Sequence, residues 1–533
     1  MSPLSGLEDK FTKNWRERED FQDILLHLHD LTNRFLFIVP FPGHQPLLLM
    51  DDLFRIIDSV NDWLWTYVVI VLLVFCAIYF TFRIRGVQFR LLKDMWRVIV
   101  DKPIAGSAGA DDGKARACKD GNADSEGNIR KIGSFQAFAV SLSSRVGTGN
   151  LAGVASAICV GGPGAVFWMW IMALFGAATA FIEATLAQLY KRRGKDSFYG
   201  GPAYYMQHGL HRKWMGLLFA VLLILTFGIA NQLVQSNTLC DALGDAFSID
   251  KKWVGIGLAL MTVVIIFGGI HRISHFASIV VPFMAIGYVL IGLVVIVMNI
   301  NEIPSVFALI FKNAFGIGPM AGGMFGTAVM QGVKRGLFSN EAGEGSAPNA
   351  AAIAHTSHPV KQGLLQSLGV FTDTIIVCTC TAFIILLSGI YDSGADGILL
   401  TKNALECHIG KAGGIFITAA IFLFAYSTLI GNYYYAETNI RFMTGNKWAV
   451  FIFRIISALT IIAGAVMTLQ EAWSLVDVTM GVMTIVNLAA ILQLSPKAFR
   501  LLDNYMEQRR NGKDPVFRRE MMPEDEADIE CWD

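Results

Sequence analysis

Apolar residues in this chain come in long blocks rather than in the narrow stripes of a water-soluble fold. Eleven blocks reach the roughly 20 residues that a helix needs to cross a bilayer core. They are Asp62–Phe82, Ser134–Gly161, Ala165–Tyr190, Trp214–Leu243, Trp253–Ile270, Phe276–Asn299, Gly322–Ala354, Gln362–Ser388, Gly413–Ile440, Trp448–Leu469 and Trp473–Leu494. Lipid offers no partner to a backbone N–H or C=O, so runs this long predict helices, which pair those groups internally. The pattern predicts an all-α membrane protein with 11 transmembrane helices. Composition agrees, with 54% hydrophobic and 16% charged residues, against about 25% charged in soluble domains.

A second pattern lies over the first. Shifting the chain by 190 residues overlays Arg145, Asn150, Ala152, Gly153, Ser156 and Ala157 on Arg335, Asn340, Ala342, Gly343, Ser346 and Ala347. The same register overlays Phe181 and Glu183 on Phe371 and Asp373. Spans two to six and seven to eleven are thus two copies of a unit of five helices, preceded by one extra N-terminal helix. Five is odd, so the second copy is inverted, and inverted repeats with a midplane site are a common carrier architecture. The division is an N-terminal extension (1–49), the first helix with a basic linker (50–133), repeat one (134–300), repeat two (322–495) and a C-terminal tail (496–533). Residues 1–49 read either as a surface extension or as sequence ahead of a true start at Met50.

Charge gives the orientation. Lys and Arg concentrate in the loops that share a side with the C-terminal tail, which puts that side inside and the N-terminus outside. The expected location is therefore a plasma (inner) membrane, with the lipid bilayer as a partner. Formal net charge is +0, which offers no field for nucleic acid. The charged first twenty residues are no signal peptide. Cys378 and Cys380 stand two apart and do not face each other on a helix. Neither a zinc site nor a disulfide framework is expected.

The first helices of the two repeats are weak in their middles. One contains Ser143-Ser144-Arg145-Val146-Gly147-Thr148-Gly149-Asn150, the other Gly336-Leu337-Phe338-Ser339-Asn340-Glu341-Ala342-Gly343-Glu344-Gly345-Ser346. Each helical Gly costs about 0.8–1 kcal/mol relative to Ala, and clustered glycines permit unwinding. A freed half-helix N-terminus suits a carboxylate, and freed carbonyls suit Na⁺ or an ammonium. A zwitterionic amino acid and a cation fit that pattern; close helix packing is the plainer use of the same glycines. Arg145, Glu183, Lys334, Arg335, Glu341, Glu344, Asp373, Glu437 and Arg454 are ionisable residues within spans, where burial demands a partner or water. Arg145 and Arg335 have snorkelling at a membrane end as their alternative. Gln235 and Asn237 in span four, with Tyr426, Ser427, Thr428 and Asn432 in span nine, are further polar candidates. No cofactor is expected. An enzyme finds no support, for no metal-ligand helix or Ser elbow is present, and His355 and His358 sit at a helix end beside Pro359. A channel fits two broken helices less well than alternating access does.

Two segments carry a resemblance. Gly161-Gly162-Pro163-Gly164-Ala165-Val166-Phe167-Trp168-Met169-Trp170 resembles the signature of the alanine or glycine:cation symporters. Gly332-Val333-Lys334-Arg335-Gly336-Leu337-Phe338-Ser339-Asn340-Glu341-Ala342-Gly343, continuing through Gly345-Ser346-Ala347-Pro348-Asn349, resembles that family's second long motif. The likeness covers about residues 50–500. It implies a leucine-transporter-type fold and symport of a small neutral amino acid (alanine, glycine or D/L-serine) with Na⁺ as coupling ion, by a protein acting as a monomer. Protons, or a larger polar substrate such as glutamine, are the alternatives. A more distant similarity to neurotransmitter:sodium symporters, through Val146-Gly147-x-Gly149-Asn150, implies a Na⁺ site. It would comprise the Ser143 and Val146 carbonyls with the Ser427 and Thr428 hydroxyls. The same similarity implies substrate contacts at Thr148, Gly149, Phe338 and Ser339; Asn150, Gln235, Asn340 and Asn432 complete the candidate pocket. Many relatives read Gly-Trp where this chain reads Gly431-Asn432, which makes the expected pocket wall more polar and roomier.

Overall fold

The structure, a computed structural model, describes residues 46–100, 132–194, 197–316 and 321–532. It divides the chain into two units, Met1–Arg55 and Ile56–Asp533. Apart from the start of the helix Pro46–Leu64, the first unit lies outside the described residues, and so does the question of residues 1–49.

Helices dominate the second unit, and the only strands among the described residues are Arg192–Arg193 paired antiparallel with Phe198–Tyr199. We number the principal helices α1 (Arg55–Arg83), α2 (Ser134–Arg145), α3 (Gly149–Gly161), α4 (Ala165–Leu189), α5 (Lys213–Phe247) and α6 (Lys251–Ile266). Next come α7 (Gly269–Met298), α8 (Ala321–Asn340), α9 (Pro359–Ser388), α10 (Lys411–Met443), α11 (Lys447–Gly464) and α12 (Leu469–Arg510). Among the described residues, 8 helices are long and apolar enough to cross a membrane: α1, α4, α5, α7, α9, α10, α11 and α12. The other expected spans fall short for identifiable reasons. Spans two and seven are interrupted, and the fifth is only 16 residues long because the chain turns at Gly268 and Gly269 (φ +67°).

Several elements differ from the sequence expectation. Residues 271–275, expected as a loop, already belong to α7, as does Ile270, expected to end the span before it. The last span was expected to end at Leu494, but α12 runs through Pro496 to Arg510, 42 residues in all. Two amphipathic helices, Ile303–Ala314 and Gly397–Ile409, fill what the hydropathy pattern leaves as loops.

Small residues let the buried helices approach. Gly176 of α4 faces Ala342, Gly332 of α8 lies on the Ala165 carbonyl, and Gly363 of α9 lies against Thr185 and Phe181. Helix association in lipid gains no hydrophobic drive, so dispersion across such close backbones and interhelical hydrogen bonds must supply the cohesion. α5 packs along α10 and α12, α6 along α11, and α7 against α2 and α10. The outer faces of α1, α7 and α11 leave Phe75, Phe82, Phe283, Ile286, Leu290 and Leu459 exposed. Apolar surface on that scale belongs against lipid.

Candidate functional site

α2 ends because its backbone donors are taken elsewhere. In a continued helix the Gly147 and Thr148 N–H groups would bond to the Ser143 and Ser144 carbonyls. Instead Gly147 N–H donates to Asn150 Oδ1 at 2.8 Å and Thr148 N–H donates to Gln235 Oε1 at 3.1 Å. Asn150 N–H bonds Gly147 O at 3.3 Å rather than the Val146 carbonyl. Two side-chain amides thus compete with the helix, and the Ser143 and Val146 carbonyls lose their helical donors. The Thr428 hydroxyl of α10 lies 2.9 Å from Ser143 O, 3.4 Å from Val146 O and 2.9 Å from Phe424 O one turn back. It has one proton for three acceptors. When that proton goes to Phe424 O, three oxygens from two helices face one another without a hydrogen between them. Ser427 does not join them, since its hydroxyl donates to Phe424 O at 2.9 Å and lies 3.6 Å from Met284 Sδ on α7.

The second break repeats the device. Ala342 N–H donates to Asn340 Oδ1 at 3.0 Å, and Gly343 N–H donates to Glu183 Oε1 at 3.3 Å. Their helical acceptors would have been Phe338 and Ser339, whose carbonyls are freed in turn. Glu341 at φ +55°, Gly343 at +98° and Gly345 at +84° carry the chain through left-handed backbone, which only Gly adopts without cost. The helix Pro348–Ala351 follows. Phe338 closes on the first break, since a Cβ at Gly149 would lie 2.9 Å from its ring.

Buried acids tie the breaks together. Asp373 of α9 accepts from Asn150 Nδ2 at 2.7 Å, Ser339 Oγ at 2.7 Å and Thr374 Oγ1 at 2.9 Å, so one carboxylate holds both breaks. Its counterpart in the 190-residue register, Glu183, takes Gly343 N–H and Asn487 Nδ2 (2.9 Å). Each acid therefore binds the break of the opposite repeat. Glu341, a third buried acid, accepts from Ser144 Oγ and Ser346 Oγ, each at 2.6 Å. Asn432 joins this group: its Oδ1 is 2.7 Å from Ser144 Oγ, while its Nδ2 has no partner among the described residues. Arg145 and Arg335 are both buried, so neither snorkels. Arg145 donates to Gln366 O at 3.1 Å.

On the α12 side a stack covers Phe338. Trp473 meets its ring edge-on at 4.6 Å, the Arg335 guanidinium lies 3.9 Å over Trp473, and Arg335 donates to Asp477 at 2.7 Å. Trp473 only opens the eleventh span and nothing in the sequence marks it, whereas Asp477, an acid within that apolar span, carries the same signal as Asp373 and was missed. Asp373, Ser144 and Glu341 were visible as polar residues in apolar runs, but only the packing gives them partners.

Residues 50–519 match the family described as the sodium:alanine symporter family. The chain belongs to that family. The match spans most of the chain, and the family is one of symporters, not enzymes. The probable sodium/glutamine symporter GlnT of Bacillus subtilis (strain 168) is 48% identical over 90% of this chain and 96% of its own length. The sodium/alanine symporter AgcS of Methanococcus maripaludis is 37% identical over 86% of this symporter and 99% of its own length. Among solved structures, MhsT in complex with L-phenylalanine aligns with TM-score 0.50 at 12% identity, over 70% of this chain and 99% of that one. That likeness concerns the fold alone. The protein is thus a multi-pass membrane symporter of amino-acid type.

Proposed function

We propose that this symporter imports a small neutral amino acid of the alanine, glycine or serine class together with Na⁺, by alternating access. The architecture in this reading is eleven membrane helices, with an N-terminal helix ahead of two inverted units of five; the N-terminus faces outside and the C-terminal tail the cytoplasm. The observation that carries the reading is the convergence of the Thr428 hydroxyl with the freed carbonyls of Ser143 and Val146. Hard oxygens in a dry site suit Na⁺, and the deprived carbonyls gain from it what the helix no longer supplies. The substrate lies between the breaks. Its carboxylate meets the backbone at Thr148 and Gly149, and its ammonium meets the Phe338 and Ser339 carbonyls. Phe338 and Trp473 close over it.

Glutamine is the second reading, supported by the 48% identity to a relative named for it and by the unpartnered Asn432 amide, which could meet a side-chain amide. Uptake of labelled alanine into proteoliposomes, with and without a Na⁺ gradient and with glycine, serine or glutamine as competitors, decides between them. Saturable, Na⁺-dependent uptake competed by glycine and serine is the expected result. Competition by glutamine alone selects the second reading, and uptake that follows a proton gradient without Na⁺ overturns the coupling ion.

A further inference from the structure

Away from the transport site, a cavity of about 250 Å³ lies where the last turn of α1 meets the far end of α12. Four arginines line it, Arg83, Arg85, Arg90 and Arg510, against one carboxylate, Asp503. Neighbouring arginines on α12 are paired, Arg500 with Glu524 and Arg509 with Asp94. None of the four in the cavity forms an ion pair among the described residues. A left-handed turn assembles them. Arg85 at φ +54° and Gly86 at φ +62° reverse the chain, with Gly86 N–H donating to Thr81 O at 2.9 Å. Arg85 is not glycine, so this left-handed backbone is strained, and the turn's effect is to place Arg83 and Arg90 around one space. The Arg83 guanidinium lies 5.1 Å over the Phe499 ring, which holds it toward α12.

The surface leading to the cavity is apolar. Val71, Phe75, Ile78 and Phe82 are all exposed and follow helical spacing down α1 to its edge. Beyond the turn, the amphipathic helix Leu92–Val100 leaves Leu92 and Trp96 exposed, as a segment lying in a membrane interface does. A charged pocket at the foot of a lipid-facing stripe suits a ligand with an anionic head and acyl chains. Guanidinium forks match phosphate oxygens in pairs, and basic pockets between membrane helices hold phospholipid headgroups elsewhere. The geometry points to a binding site for an anionic phospholipid headgroup, clamped by Arg83, Arg85, Arg90 and Arg510, its acyl chains lying along α1. The exposed stripe sets this ligand apart from free phosphate, which would gain nothing from it. The inference needs only that α1 crosses the bilayer and is independent of the substrate.

The test uses the full chain in detergent, with thermal unfolding and native mass spectrometry against added phosphatidylglycerol, phosphatidylcholine or sodium phosphate. Phosphatidylglycerol should raise Tm and remain bound, and the other two should not. Replacing all four arginines by Gln should weaken its apparent affinity at least tenfold. Replacement by Lys should keep most of it, and Lys447→Gln at the start of α11, outside the cavity lining, should change nothing. If the Gln variant does not fold, the pair Arg85→Gln and Arg510→Gln is expected to lose at least threefold. Equal stabilisation by phosphatidylcholine or by phosphate overturns the proposal, as does wild-type affinity in the Gln variants.

Discussion

Thr428 and Ser427 are adjacent hydroxyls with different surroundings. Thr428 stands against two carbonyls stripped of their helical donors, while Ser427 is satisfied within its own turn. A lost hydrogen-bonding oxygen is worth about 1–3 kcal/mol, so Thr428→Ala should raise the Na⁺ concentration for half-maximal uptake roughly tenfold or more. Ser427→Ala should shift it several-fold less. Linkage is reciprocal, so alanine affinity in Thr428→Ala should fall at low Na⁺ and partly recover at high Na⁺. Uptake by both variants across a Na⁺ series checks this, and equal shifts would place Ser427 in the site as well. Asn340 is the other decisive residue, because its amide oxygen takes the Ala342 N–H out of the helix. Asn340→Ala should abolish uptake while leaving monodisperse protein in size-exclusion chromatography. At this scale the sequence was a good guide to polarity and a poor one to direction. A hydroxyl in an apolar run is visible from its type, but whether it turns toward α2 or toward α7 depends on a helix rotation that packing sets.

The breaks were legible at the scale of elements, since glycines and amides clustered mid-span in both repeats. Their glycines are not equivalent, however. A Cβ at Gly147 would collide with the Thr428 hydroxyl and lie 3.1 Å from Gln235 Oε1, whereas at Gly336 the nearest atom is an ordinary 3.4 Å away. Gly147→Ala should therefore eliminate Na⁺-dependent uptake. Gly336→Ala should retain it and gain a little stability, about 0.8–1 kcal/mol from helix propensity, measured as Tm. The C-terminal tail was not legible. Trp532 is buried, donates to Gln188 O at 3.0 Å, and lies 4.4 Å from the Lys191 ammonium. Phe517 N–H joins Ser357 O at 2.8 Å. Beside Trp532, burial pushes the Cys531 thiol up to about 11, against the opposing pull of Lys191. The thiolate is the reactive form, so Cys531 should alkylate slowly at pH 8. Trp532→Ala should free the tail and speed that reaction about tenfold or more, read on the C-terminal peptide by mass spectrometry. No change in rate would show that the tail is held without Trp532.

Over the whole molecule, the Lys and Arg bias calls for Asp250 outside and Arg212 inside. An impermeant thiol reagent should label Cys at Asp250 in intact cells and Cys at Arg212 only after lysis; the reverse pattern would invert the orientation. Membrane residence and helicity were determined by the sequence alone, because lipid leaves long apolar runs no other way to pair their backbone. So were the 190-residue correspondence and the places where helices break, because these rest on local composition. Helix ends were decided elsewhere: the turn at Gly268 and Gly269, and the extension of α12 to Arg510, depend on what each end packs against. The partners of buried polar groups likewise came from the tertiary structure. Asp373 reaches Asn150 across 223 residues of chain and Ser339 across 34, and Trp65 reaches the Asp477 carbonyl across 412. Such pairings follow from packing, in which every buried donor must find the acceptor that three dimensions bring to it, and no periodicity along one strand of text encodes that choice.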